Sequence, residues 1–98
     1  MAQVIYSRQS LSDLDRLTDF LLETDSAAAL ETIELISEAI QILGNHPLVG
    51  RAAELDMREL VISRGRTGYL ALYSYEEEHD TVLVLAIRHQ REAGFVEE

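Results

Sequence analysis

Ninety-eight residues with 47% hydrophobic content fit one small globular domain, 1–98, and argue against disorder. The absence of cysteine excludes disulfides and thiolate chemistry. With no apolar run near the roughly 20 residues of a membrane helix and no leader-like pattern in Met1 to Ser7, the chain reads as cytoplasmic. A net charge of −10, with arginine as the only strong cation and no lysine, opposes free binding to nucleic acid, whose phosphates demand cationic neutralisation.

Ala2 to Ser7 has strand chemistry, with Val4 and Tyr6 on one parity and Gln3 and Ile5 on the other. Ser10 reads as a helix N-cap, and Asp13 as an acidic partner near the positive end of the helix dipole. Leu11, Leu14, Leu17, Leu21 and Leu22 form an apolar stripe, with Asp15, Asp19 and Glu23 on the other side and an end near Thr24. Asp25 or Ser26 caps a second helix over about 26 to 43, striped by Ala29, Ile33, Ile36, Ile40 and Leu43. Gly44-Asn45-His46-Pro47 stops it, since glycine suits a left-handed C-cap and proline cannot continue. Two helices joined by so short a turn form an antiparallel αα-hairpin. Its acidic outer faces read as solvated surface.

Leu48 to Asp56 reads as a loop, and Met57 to Ser63 as a strand. Arg64-Gly65-Arg66-Thr67-Gly68 is a glycine-bearing turn into the strand Gly68 to Tyr75. In that strand Tyr69, Ala71, Tyr73 and Tyr75 share one face, and Leu70 and Leu72 the other. Glu76 to Asp80 is a polar hairpin loop. Thr81 to Arg88 follows, with Leu83, Leu85 and Ile87 opposed to Val82, Val84, Ala86 and Arg88. Gln90 to Glu98 reads as a short helix or a tail. The sum is an α+β chain: an opening strand, a two-helix hairpin and an antiparallel three-strand meander, β-α-α-β-β-β, with the first strand joining the same sheet. The leucine face of the sheet is expected to cover the helices and the tyrosine face to stay open.

That open face is expected to collect Tyr69, Tyr73, Tyr75, Arg64, Arg66, Arg88, His89 and Arg91. Arginines can hold phosphates bidentately, tyrosines can stack on bases, and His89 can move a proton. Each also has a plainer role: packing for a strand tyrosine, solvation for a turn arginine, a strand-end contact for His89. His46 and His79 sit in a helix stop and a hairpin loop, as surface residues. The three histidines lack the i, i+4 spacing of a helical zinc motif, so no metal site is expected. Without a GxGxxG or P-loop pattern, no cofactor is expected either.

The stretch Arg58 to Phe95 resembles the RelE/ParE family of toxins from type II toxin–antitoxin modules. The resemblance is carried by Arg58-Glu59-Leu60, Gly68-Tyr69 and Ala86-Ile87-Arg88-His89-Gln90-Arg91-Glu92, and the strand and helical hairpin upstream agree with it. It implies neutralisation by a cognate antitoxin in a hetero-oligomer. RelE-like members cleave messenger RNA in the ribosome; ParE-like members, among them plasmid stabilisation proteins, poison DNA gyrase. The Ile87-Arg88-His89-Gln90-Arg91 ending is more similar to the ParE side. The family pattern then implies Arg58, Arg64, Arg66, Arg88 and Arg91 as target- or phosphate-binding residues. Under the nuclease alternative, the catalytic set is Arg64, Arg88, His89 and Tyr73, acting without metal. The lysines usual in RelE-like nucleases are missing, and the charge of −10 departs from a basic family. A third expectation is therefore a non-toxic member held in a complex with its antitoxin.

Overall fold

The computed structural model describes residues 1–64 and 67–92, with only the main chain described at Arg64 and Thr67. The elements are β1 (Gln3–Tyr6), α1 (Arg8–Thr24), α2 (Ser26–Ile42), β2 (Arg51–Ala52), β3 (Arg58–Arg64), β4 (Thr67–Glu76), a single 3₁₀ turn at Glu77–His79, and β5 (Thr81–His89). The five strands form one sheet in the order β1-β5-β4-β3-β2. The expected meander β3-β4-β5 is antiparallel, whereas β1 lies parallel to β5, so the sheet is mixed. The segment read as a loop contains β2, a two-residue strand on β3. The expected helix or tail beyond Glu92 lies outside the described residues.

Helix α1 starts three residues earlier than the Ser10 cap predicts. Ser7 is the N-cap: its Oγ accepts from Ser10 N at 3.1 Å. Ser7 also donates its N–H to Val84 O at 2.9 Å, so it closes β1 and opens the helix at once. Both serines are capping residues by type, and only the strand end decides between them. Asp25 plays a similar double part in the hairpin. Its N–H donates to Leu21 O (2.7 Å) and ends α1, while Oδ1 accepts from Ala28 N (3.2 Å) and caps α2. Gly44 does not adopt the left-handed φ expected of it. It answers to space: an added Cβ would sit 3.3 Å from Ala2 O and from Gln41 O.

The helical hairpin covers the face of the sheet opposite to the expected one. Tyr69, Ala71 and Tyr73 join Val82, Val84 and Ile87 in a core with Leu17, Ile36, Ile40 and Leu43. Leu70 and Leu72, of opposite parity on β4, take the reverse face. Strand β4 is apolar on both sides, so alternation alone gives the faces no sign. The aromatic rings of Tyr69 and Tyr73 lie on the helix side, and the buried Tyr73 hydroxyl finds a partner there, accepting from Gly50 N at 2.9 Å.

A β-bulge changes the parity of β5. Leu72 pairs with Ala86 but Tyr73 pairs with Val84, leaving Leu85 without a partner on β4. Val82 and Val84 therefore face the helices together with Ile87, and Arg88 is carried to the reverse face opposite Leu70. The other edge of β5 loses its partner where β1 stops at Tyr6, and α1 replaces it with side chains. Ser7 Oγ donates to Leu85 O (2.9 Å), Asp13 Oδ2 accepts from Ile87 N (2.8 Å), and Arg16 donates to Ile87 O (3.4 Å). Asp13 is thus buried at 1% exposure and turned to the β5 edge, not the acidic partner of the helix start that the sequence reading made it. Asp15, Asp19, Glu23, Glu31, Glu34 and Glu38 are exposed as expected.

Candidate functional site at the end of the last strand

The turn after β5 is built by its own arginine. One terminal nitrogen of Arg88 donates to the main-chain oxygens of His89 (3.3 Å), Gln90 (3.3 Å) and Glu92 (2.8 Å). The guanidinium folds over the turn 89–92 and satisfies carbonyls that the sheet no longer pairs. The Glu92 side chain returns to the strand. Its Oε1 accepts from His89 N (3.2 Å) and from Arg16 of α1 (2.7 Å).

His89 lies on the other side of the sheet from Arg88. It pairs with Tyr69, edge to face, with ring centroids 5.2 Å apart and planes at 88°. Its Nδ1 accepts from Arg91 N at 3.1 Å. A neutral ring in this bond carries its proton on Nε2. His89 and Tyr69 form one wall of a groove of about 580 Å³; Leu17, Phe20 and Leu21 of α1 form the other. Arg16, Arg91 and Glu92 complete the lining. Phe20 is 61% exposed, a large apolar surface beside a concavity.

The expected open-face cluster is therefore divided. Tyr69 and Tyr73 are in the core, and His89 is in the groove. Burial pushes the Tyr73 phenol above its ordinary value, with the Gly50 hydrogen bond and nearby Arg58 pulling the other way. Tyr75 is at the far end of β4, where its hydroxyl donates to Asp80 at 2.7 Å. That bond, with burial adding, pushes its phenol up. Arg58 is turned to the α2–β3 connection, donating to Leu48 O (3.2 Å) and Gly50 O (2.8 Å). The main chain of Arg64 pairs with Thr67 at the groove end of the sheet, while its side chain and all of Arg66 lie outside the described residues. Arg91 is exposed at the rim of the groove. No three histidine, aspartate or glutamate side chains gather among the described residues, and no described helix is long and apolar enough to cross a membrane.

Asp13, Arg16, Phe20 and Glu92 were not among the expected site residues. Phe20 had a visible signal: it stands off the leucine stripe of α1, four residues after Arg16, so both lie on one flank of the helix. Asp13 and Glu92 had none that pointed to the strand, because the contacts that tie them to β5 are to its main-chain N–H groups.

The comparisons with known proteins agree with this architecture. Residues 4–94 match the model of the ParE toxin of the type II toxin–antitoxin system parDE. Toxin RelE3 of Caulobacter vibrioides is 34% identical over 92 residues, covering 94% of this chain and 98% of that protein. The chromosomal ParDE toxin–antitoxin system from P. aeruginosa superposes with a TM-score of 0.75 at 22% identity, over 91% of this chain and 96% of the other. The intact E. coli RelBE complex gives 0.66 at 13% identity, over 94% and 100%. The RelBE2 toxin–antitoxin complex from Mycobacterium tuberculosis gives 0.60 at 27% identity, over 91% and 98%. The family match over nearly the whole length, on a helical hairpin laid across a mixed sheet, places this chain in the RelE/ParE family as a ParE-type toxin of type II toxin–antitoxin systems.

Proposed function

We propose that the chain acts by binding a protein target, with DNA gyrase favoured, and that a cognate antitoxin holds it in a complex. The observation that carries this reading is the division of the expected nuclease set. Arg88 is on the reverse face and bonded into its own turn, His89 is in the groove, and Tyr73 is sealed in the core. Metal-independent RNA cleavage needs phosphate-holding and proton-moving groups within hydrogen-bond reach of one phosphodiester. These three residues are held at three separate places. The charge of −10 and the absence of lysine also disfavour entry into a polyanionic ribosomal site. The antitoxin is supported by the RelBE structures of similar fold, which are toxin–antitoxin complexes.

The test is controlled expression in a bacterial host without the antitoxin, following growth, DNA synthesis and protein synthesis together. Early loss of DNA synthesis with translation intact is the expected result. Early loss of translation overturns it in favour of mRNA cleavage. Unimpaired growth with folded protein in the lysate overturns it in favour of a non-toxic member that persists in its complex.

A further inference from the structure

We propose, on the reading that this chain works against a protein target, that the tip of the β2–β3 hairpin docks on that target. Leu55 enters an apolar pocket of the target, and a lysine or arginine at the pocket rim meets the carboxylates beside it.

The turn at this tip is strained. Met57 N donates to Glu54 O at 3.0 Å and Ala53 N to Met57 O at 2.9 Å, closing a tight turn around Leu55 and Asp56. Both of those residues take positive φ, 55° at Leu55 and 63° at Asp56. Paired positive φ is the pattern of a type I′ turn, whose positions favour asparagine and glycine because a Cβ is crowded there. A bulky leucine is the costlier choice. Its side chain does not offset the cost by packing, since Leu55 is 87% exposed. Backbone held in such a region without a folding gain is characteristic of segments that act on a partner.

Charge around the leucine selects the partner. Glu54 and Asp56 flank it, both exposed. The arginines of the two strands are turned elsewhere, Arg51 to Glu59 and Arg58 to the main-chain oxygens of Leu48 and Gly50. An apolar side chain between two carboxylates repels phosphates and anionic membrane surfaces, and it complements an apolar pocket beside a cation. A hollow of about 300 Å³ beside the tip gives that cation a seat. Ala53, Met57 and Leu72 line it with apolar surface, and Glu54 and Glu59 bring carboxylates to it. A lysine or arginine lays its stem on such a surface and keeps its charged head among the acceptors. Two copies of this tip would bring like charges together, which disfavours self-association through it.

The experiment measures binding of the full chain to purified DNA gyrase, with Tm read in parallel. Leu55→Asn supplies a residue that tolerates positive φ and removes the apolar side chain. The expected result is Tm held or raised together with gyrase binding weakened about tenfold or more, the worth of burying one leucine side chain. Leu55→Met, equally strained but still apolar, should bind within about threefold of the native chain. Glu54→Gln should weaken binding about threefold to fivefold. A lower Tm in Leu55→Asn overturns the proposal, because the strain is then absent. Gyrase bound equally by Leu55→Asn and the native chain keeps the functional reading and sinks the hairpin proposal. If the native chain does not bind gyrase, expression in a host without the antitoxin decides. Growth arrest by the native chain but not by Leu55→Asn keeps the hairpin proposal and removes gyrase as the target; equal effects of the two chains on growth overturn it. Self-association in light scattering that Leu55→Asn abolishes also overturns it, in favour of a second copy as the occupant.

Discussion

Asp13→Ala removes the acceptor that stands in for a missing strand. In the native chain the carboxylate is 1% exposed and accepts from Ile87 N (2.8 Å) and Gln9 Nε2 (2.9 Å), with Arg16 3.6 Å away. Truncation leaves the N–H of Ile87, a fully buried residue, without a partner, at a cost of about 1–3 kcal/mol. Arg16 loses part of its compensation as well, which brings the total to about 3 kcal/mol. For a domain of this size that lowers Tm by about 12–24 °C. Urea denaturation with unchanged m gives the stability directly. Amide hydrogen exchange at Ile87 gives the location, since its protection should fall more than that of Val82 or Val84. The bulge after Val84 is also expected to become labile, because nothing else on α1 accepts from the β5 edge at that point. An Asp13→Ala variant within about 0.5 kcal/mol of the native protein, with Ile87 still protected, would refute the account of Asp13 as the replacement partner.

Three further outcomes follow from other contacts. An added Cβ at Gly50 would lie 2.6 Å from the Tyr73 hydroxyl and 3.0 Å from Glu59 O, both fixed, so Gly50→Ala should cost about 2 kcal/mol. At Gly68 the Cβ meets first the side-chain amide of the exposed Gln90, which can swing aside, so Gly68→Ala should cost under about 1 kcal/mol; equal losses in urea melts would contradict the contrast. Burial raises the phenols of Tyr6 and Tyr73 above the ordinary 10.0, so their contribution is whole below that pH and is lost as pH climbs through the folded values. Tyr73→Phe should make the alkaline fall in stability shallower, and an unchanged slope counts against the burial effect. Arg16 and Glu92 are 37% and 27% exposed, so a double-mutant cycle to alanine should return a coupling of only about 0.5–1 kcal/mol that shrinks in salt; a null coupling removes the strap between α1 and the turn.

The helices were legible because an apolar stripe at three- and four-residue steps has one physical outcome. The antiparallel pairing of β3, β4 and β5 was legible because short polar turns allow little else. The facing of the sheet was not. Tyr69 and Tyr73 alternate with Leu70 and Leu72, so either set could line a core, and the partner that the buried Tyr73 hydroxyl finds, Gly50 N–H, lies far away in sequence. Leu85 carries no mark that it is the bulged residue, yet that one residue decides which side receives Ile87 and which receives Arg88. The site inherits this. Arg88 was rightly read at the end of a strand, which runs one residue further to His89, but neighbours in sequence on a strand point to opposite faces, which works against a single cluster. Asp13 was hidden by a sound general rule, since acidic residues on helices are mostly solvated and only the short β1 makes this one an exception.

The parallel pairing of β1 with β5 has a consequence for when the fold can exist. Gln3 to Tyr6 takes its neighbours from Thr81 to Val84, so the first strand waits for the last. A nascent chain can form the α1–α2 hairpin early, from local contacts alone, but α1 lacks its neighbour in the sheet until β5 emerges. Closure across so long a separation is the slow, entropically costly step of such a topology. Synthesis itself therefore delays the native form: the Arg88 turn and the groove beside it cannot be assembled until the final strand has left the ribosome.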